Sequence, residues 1–213
     1  VINGKVYTGM LPSGYANADL KWETSEQTDL GIDLRFFNSA LTFSADYFVK
    51  KTKDMLLSMP IPLYTSYGSM TVNSGTVKNE GIEFEASYRF KVGEVNLGIN
   101  GNASYVKNEV ADLAGDDFVL TANYSDLGGP LQIMKPGYPM GSFYVYQWKG
   151  FDDKGANLYQ KADGSLTTNP TSDDLVVKGQ ASPKWTVGWN NTVTWKNWTL
   201  NVFFNAATGY DRL

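Results

Sequence analysis

The chain has no cysteine and no histidine among its 213 residues. Without cysteine there is no disulfide framework and no thiolate metal site. Without histidine, Ser-His-Asp and Cys-His catalysis are excluded, as are the usual zinc and non-haem iron ligand sets. Positive charge is not in excess either. A net charge of -4 leaves no basic field to recruit nucleic acid, so none is expected as a partner. No run of about eighteen apolar residues occurs, so no transmembrane helix is encoded. The opening Val1-Ile2-Asn3-Gly4 lacks the basic and apolar regions of a signal peptide, and it reads as the start of an internal fragment.

What is present argues for an ordered β-protein. Hydrophobic residues at 42% and charged residues at 19% are the wrong balance for disorder. Aromatics reach 14%, with tyrosine the commonest. That suits proteins that hold amphipathic rings at an interface, such as membrane barrels and carbohydrate binders.

Period-2 alternation dominates, and no useful stretch holds a helical period. Leu30, Ile32, Leu34 and Phe36 alternate with Asp29, Gly31, Asp33 and Arg35. After an Asn38-Ser39 turn, Leu41, Phe43, Ala45, Tyr47 and Val49 alternate with Thr42, Ser44, Asp46 and Lys50, and Phe48 interrupts the polar set. This is a β-hairpin pattern. A second hairpin pairs Ile82 to Phe90 with Val95 to Tyr105 across a tight turn at Lys91-Val92-Gly93-Glu94. A third pairs Trp185 to Trp195 with Trp198 to Phe204 across Lys196-Asn197. A further strand is expected at Phe143 to Lys149, giving about seven or eight in all. The intervening connections, Met55 to Asn79, Val106 to Gly141 and Gly150 to Pro183, are long and rich in Gly, Pro, Ser, Asp and Asn.

Long loops alternating with short turns are the habit of outer-membrane barrels, and uncommon in compact soluble domains. The runs also match the 9–11 residues a barrel strand needs to cross a bilayer. Tyr47, Tyr88, Phe90, Tyr105, Trp185, Trp195 and Trp198 fall near the ends of apolar runs, the depth where rings with one wet edge settle. Period alone leaves two fold classes. One is a transmembrane barrel with the apolar face outward; the other is a soluble sandwich with that face inward.

A family resemblance separates them. Asp19-Leu20-Lys21-Trp22-Glu23-Thr24, leading into Gly31-Ile32-Asp33, is similar to a signature stretch of the SusC/RagA family of TonB-linked outer-membrane transporters. Ala45 to Leu56 resembles that family's next strand, and Asn73-Ser74-Gly75-Thr76-Val77-Lys78-Asn79-Glu80-Gly81-Ile82-Glu83 its N-x-G-x-V-x-N-x-G-I-E block. Gly137-Tyr138-Pro139-Met140-Gly141-Ser142-Phe143 and the hairpin from Ser182 to Phe204 follow in order. Asn79, Gly81 and the Asn73 to Gly75 turn are expected to adopt unusual backbone geometry where a loop re-enters the wall.

The resemblance implies an all-β, antiparallel transmembrane barrel segment spanning residues 1–213, part of a barrel of about 22 strands with a plug inside. Such proteins import oligosaccharides or peptides across the outer membrane. They are driven by TonB through an N-terminal region and capped by a SusD-like surface lipoprotein. This chain has neither that N-terminal region nor a terminal aromatic strand after Asp211-Arg212-Leu213.

The expected lumen-lining residues are Asp33, Arg35, Glu83, Glu85, Arg89 and Asn100. Glu83 and Glu85 stand about 6.6 Å apart by strand rise. That spacing also fits a glycosidase carboxylate pair, but a charged lumen row is the expectation, with no catalytic residue. Tyr64, Tyr67 and Tyr124, in loops, are candidates for contact with substrate. Asp152, Asp153, Asp163, Asp173 and Asp174 lie in the 150–182 loop, where the family often carries a calcium loop. Only Asp163-Gly164 of that motif is present and the alternating carboxylate spacing is missing, so no metal or cofactor is expected. Lys50, Lys51 and Lys53 read as ordinary charged residues at a strand exit, with contact to lipopolysaccharide phosphates as the alternative.

Overall fold

The computed structural model describes residues 14–124 and 129–212; for residues 63, 122–124 and 129–130 only the backbone is described. Val1 to Gly4 and Leu213 lie outside the described residues. The strands, in chain order, are β1 (Thr24–Phe36), β2 (Leu41–Lys53), β3 (Leu56–Pro60), β4 (Ser69–Asn73), β5 (Thr76–Val92), β6 (Val95–Asp112) and β7 (Val119–Tyr124). They continue with β8 (Gly129–Met134), β9 (Ser142–Phe151), β10 (Asn157–Gln160), β11 (Leu166–Thr167), β12 (Leu175–Gln180), β13 (Trp185–Trp195) and β14 (Trp198–Thr208). No helix among the described residues is long and apolar enough to cross a membrane, which says nothing about strands.

Six strands form a continuous antiparallel wall in the order β1-β2-β5-β6-β13-β14. Its three short connections lie at one end. Phe37, Asn38 and Ser39 turn there with φ of 54°, 54° and 66°, Gly93 with 59° and Lys196 with 52°. Both long connections lie at the opposite end. Residues 54–75 carry the β3–β4 hairpin. Residues 113–184 fold into a second sheet, β11-β10-β9-β8-β7, with β12 alongside β9.

Register fixes the faces. Leu34, Phe43, Ala86, Gly101, Trp189 and Phe204 are successive partners across the wall, as are Ile32, Ala45, Phe84, Ala103, Val187 and Ala206. One rung toward the loops stand Leu30, Tyr47, Ile82, Tyr105, Trp185 and Thr208. Trp195 and Trp198 pair at the turn end. Rings thus bracket the apolar face. From Trp185 to Trp195 is about 33 Å of strand, which at a 45° tilt covers about 23 Å of height, close to the roughly 25 Å of a barrel's apolar band.

Nothing among the described residues covers this face: Leu30 is 76% exposed, Leu200 60% and Trp198 77%. The buried core lies elsewhere, beneath the loops. Val77, Val110, Leu113, Val119 and Met134 form it, with Met55, Leu57 and Met59 packed against them.

Several expectations are corrected. Phe143 to Lys149 is a strand, but within β9 it pairs with β8, β10 and β12, so the wall has six strands, not seven or eight. The connections are shorter than the periodicity suggests. β5 starts at Thr76 and β6 runs to Asp112, because ladder pairing continues past the point where apolar alternation stops. Of the residues expected to be conformationally special, Gly75 has φ of 99°, whereas Asn79 and Gly81 lie in regular strand. Gly81 is needed for space. A Cβ there would sit 2.8 Å from the Phe48 ring and 2.4 Å from the Tyr105 carbonyl. Phe48, the interruption in β2's polar set, lies across the glycine opposite it.

Candidate functional site

The wall's polar face gathers the side chains that alternate with the apolar set. Asp33, Ser44, Glu85, Asn102, Gly188 and Asn205 form one rung. Gly31, Asp46, Glu83, Ser104, Thr186 and Ala207 form the next toward the loops. On the turn side, Arg35, Thr42, Ser87, Asn100 and Asn190 share a rung, which Phe203 closes at the sheet edge. Arg89 follows with Gly98 and Thr192, then Lys91 with Asn96 and Thr194. All six residues expected to line a lumen therefore stand on one face.

Hollows open on this face. One of about 690 Å3 is lined by Arg89, Lys91, Asn96, Asn100, Thr192 and Thr194. Another of about 250 Å3 is lined by Asp46, Glu83, Glu85, Asn102, Ser104 and Thr186. A third of about 210 Å3 connects Thr42, Glu85, Ser87 and Arg89. Short hydrogen bonds hold the surface between them. Ser104 Oγ donates to Glu83 Oε1 at 3.1 Å, Ser87 Oγ to Asn100 Oδ1 at 2.6 Å, and Thr192 Oγ1 to Asn201 Oδ1 at 2.7 Å. Asp46, Asn102, Ser104, Thr186 and Thr192 belong to this surface as much as the residues singled out from sequence. Their place in the alternation was the signal for them.

From the Glu83 rung to the turns, charge on the face is sorted along its height; nearer the loops Asp29 and Lys50 stand one and two rungs further out. Asp29, Asp33, Asp46, Glu83 and Glu85 occupy the loop-side half, and Arg35, Arg89 and Lys91 the turn-side part. None of these eight is in an ion pair among the described residues. The opposite face behaves differently. Above its ring of Tyr47, Tyr105 and Trp185, Lys53 pairs with Glu26 at 2.6 Å, Lys107 with Glu109 at 2.8 Å and Lys78 with Glu80 at 2.5 Å. Lys51 and Lys53 share this outer rim, whereas Lys50, paired in register with Gln27 and Asn79, belongs to the polar face.

The loop residues do not converge. Tyr64 is 88% exposed at the tip between β3 and β4. Tyr67 stacks edge-on against Tyr15, with ring centroids 5.9 Å apart. Tyr124 ends β7 in the other sheet, and its side chain lies outside what is described. Three of the aspartates of the 150–182 loop, Asp152, Asp163 and Asp174, serve their own turns. Asp152 Oδ1 accepts from the Lys154 and Ala156 amides. Asp163 Oδ1 accepts from the Ser165 hydroxyl and amide, which lowers its pKa. Asp174, buried, accepts from the Thr171 amide and hydroxyl and the Ala162 amide. The Thr171 amide is the main reason its carboxyl titrates below the ordinary range. No group of three or more acidic residues among the described residues is placed to hold a metal ion.

Comparison with known proteins follows the same lines. Residues 3–211 match the family model described as TonB dependent receptor-like, beta-barrel. TonB-dependent receptor P3 of Formosa agariphila is 33% identical over 98% of this chain and 23% of its own length. TonB-dependent receptor SusC of Bacteroides thetaiotaomicron is 28% identical over 94% of this chain and 21% of its own length. Among solved structures, the RagAB peptide transporter superposes with a TM-score of 0.83 at 28% identity, covering 96% of this chain and 24% of that one. The chain spans less than a quarter of the length of each of these relatives.

Proposed function

The chain belongs to the family of TonB-dependent receptor-like β-barrels, and from that premise we propose that its parent protein imports oligosaccharides or peptides across the outer membrane of a Gram-negative cell. In this reading TonB drives the parent through an N-terminal region outside this chain. A SusD-like lipoprotein caps the loop end. The parent carries out no chemistry and holds no resident cofactor.

One observation supports the reading most: a single-layer wall whose fully apolar face is bare while its opposite, hollowed face carries unpaired charge. In lipid, backbone groups must be satisfied within the sheet and apolar side chains can face outward without cost. A soluble sandwich needs a second layer over Leu30, Ile32 and Leu34, and the loop sheet does not supply it. The glycosidase alternative fares no better. Glu83 and Glu85 line an open hollow rather than a deep cleft, and Glu83 already accepts from Ser104.

The test is to place cysteine at Leu34 and at Glu85 in the parent and probe cells with a membrane-impermeant maleimide. This stretch has no cysteine of its own. Outer-membrane recovery with Glu85→Cys labelled and Leu34→Cys protected is the expected outcome. Recovery in a soluble fraction with Leu34→Cys buried beneath protein would overturn it.

A further inference from the structure

A hollow of about 420 Å3 sits where the wall's polar face meets the loop sheet. Sequence periodicity gives no hint of it, since its residues lie beyond the alternating runs. Its floor is the rung above Glu83, Ser104 and Thr186. There the Lys184 amide donates to the Thr208 carbonyl at 3.0 Å, and the Lys184 carbonyl accepts from Val106 at 2.9 Å. Gly209 stands opposite, and a Cβ there would come within 2.9 Å of the Lys184 Cβ. The glycine leaves the lysine side chain its room on the polar face.

The roof comes from the loops: Tyr138, Pro139, Ser142, Val177, Gly179 and Gln180. It is firmly tied down. The Val110 amide donates to the Tyr138 carbonyl and the Gly137 amide to the Val110 carbonyl, each at 2.9 Å. The Met140 amide donates to Asn108 Oδ1 at 2.6 Å.

The lining of this hollow holds one cation, Lys184, and one carboxylate, Asp211, and two more cations stand beside its tyrosine rings. The Lys135 ammonium lies 5.9 Å from the centre of the Tyr138 ring, and the Arg212 guanidinium 5.3 Å from that of Tyr210, both rings lining the hollow. None of the three cations is in an ion pair among the described residues. The one carboxylate present, Asp211, is engaged by the chain itself: its Oδ2 accepts from the Gln180 amide at 3.1 Å. Gly179, with φ of 78°, lets it approach, since a Cβ there would lie 2.7 Å from that oxygen. Each tyrosine ring already has a cation beside it, so stacking of a neutral sugar is disfavoured, whereas an anion in the hollow meets the Lys184 ammonium, with Lys135 and Arg212 beside the two rings adding to the positive field.

We infer that this hollow is a subsite for the C-terminal carboxylate of a short peptide, an inference that rests on the import reading above. The wall below supplies the second half of the recognition. One rung further in, Glu83 two strands and Asp46 three strands across from Lys184 repel a second carboxylate and favour a neutral or cationic remainder. A peptide, anionic at one end and cationic at the other, has that layout, whereas a polyuronate carries negative charge throughout.

The test is calorimetry on the purified full-length parent in detergent, with a mixed-sequence tetrapeptide pool, the same pool amidated at its C-termini, and trigalacturonate. The free-acid pool should bind at least tenfold more tightly than the amidated pool. Lys184→Gln should bring the acid down to the amide's level, Lys184→Arg should keep the preference, and Lys196→Gln at the far turns should leave it unchanged. Equal binding of acid and amide, no binding of either pool, a preference untouched by Lys184→Gln, or binding of trigalacturonate in place of peptide would each refute the subsite. Failure of the import reading would show separately, as a parent recovered outside the outer membrane in the maleimide experiment.

Discussion

Ala86 and Glu85 are adjacent on β5, both exposed, and point to opposite faces of the wall. Arginine introduced at each position measures what those faces touch. Ala86 shares its rung with Leu34, Phe43 and Trp189, midway between the aromatic ends of the band. If that face meets lipid, Ala86→Arg places a guanidinium near the bilayer midplane, at a cost of about 2–4 kcal/mol. The folding equilibrium should then fall by roughly 30- to 700-fold. Glu85→Arg places the same group over a hydrated hollow, and its cost should stay within about 0.5 kcal/mol, as for an ordinary exposed substitution. Val92→Arg, on the apolar face but at the turn end, calibrates depth; it should cost no more than about 1 kcal/mol. The assay is equilibrium denaturant unfolding of the parent in lipid vesicles, read by its heat-modifiable mobility. Equal costs at Ala86 and Glu85, or a larger one at Glu85, would refute the assignment of faces.

Three further outcomes are expected. Gly81→Ala should lower the yield of folded parent, at about 1–3 kcal/mol of overpacking. Adding Phe48→Ala should not restore it, because the Tyr105 carbonyl at 2.4 Å remains in the way. Asn73 accepts from the Lys21 amide at 2.7 Å and donates to the carbonyls of Lys21 and Asp54, each at 2.8 Å. Asn73→Ala should therefore speed hydrogen exchange in residues 14–23 and at the β3–β4 hairpin, with the wall strands unchanged; uniform loosening would refute the clamp. Asp174 titrates below its unfolded value, so its contribution is full above the unfolded pKa and lost as pH falls through the folded one. Hydrogen exchange around residues 161–176 should rise on acidification below about pH 4. In Asp174→Asn that region should be loosened already at neutral pH and show a much weaker acid response.

The wall was legible because its faces meet different surroundings, which forces a strict period of two on each strand. Asp33, Arg35, Glu83, Glu85, Arg89 and Asn100 could be assigned to one face from that alone. The signal fades beyond Tyr105 and before Ile82. There the outer face turns charged, with Lys78, Glu80, Lys107 and Glu109, while the other face carries Asn79 and Asn108 among valines, so pairing persists while the pattern vanishes. β9 misled for the complementary reason. Phe143 to Trp148 is as apolar as a wall strand, and which sheet a strand joins is set by long-range pairing that no local period encodes. The Lys184 hollow is harder still. It exists only because Gly179 and Gly209 admit side chains from segments 25 to 32 residues away in sequence.

The contrast between the two charged surfaces bears on function more than any single residue. On the outer rim, Lys53, Lys78 and Lys107 are neutralised by Glu26, Glu80 and Glu109 on the same or adjacent strands. Such pairing reduces the cost of charge beside a low-dielectric layer. On the polar face, from the Glu83 rung to the turns, carboxylates and cations stand apart along the wall's height and leave each other unpaired. Exposed charges tolerate that arrangement only where water or another polar surface screens them. The face is thus built to be filled, by solvent, by the rest of the parent chain or by passing substrate. Its sorted charge gives whatever fills it a preferred direction, cationic toward the loops and anionic toward the turns. The Lys184 hollow reverses that order at the mouth. An anionic end held there finds no cation on the next rungs inward, where Thr186, Ala207, Gly188 and Asn205 lie beneath it and Glu83 and Asp46 stand two and three strands to the side, so inward movement should require that the hold be released rather than handed on.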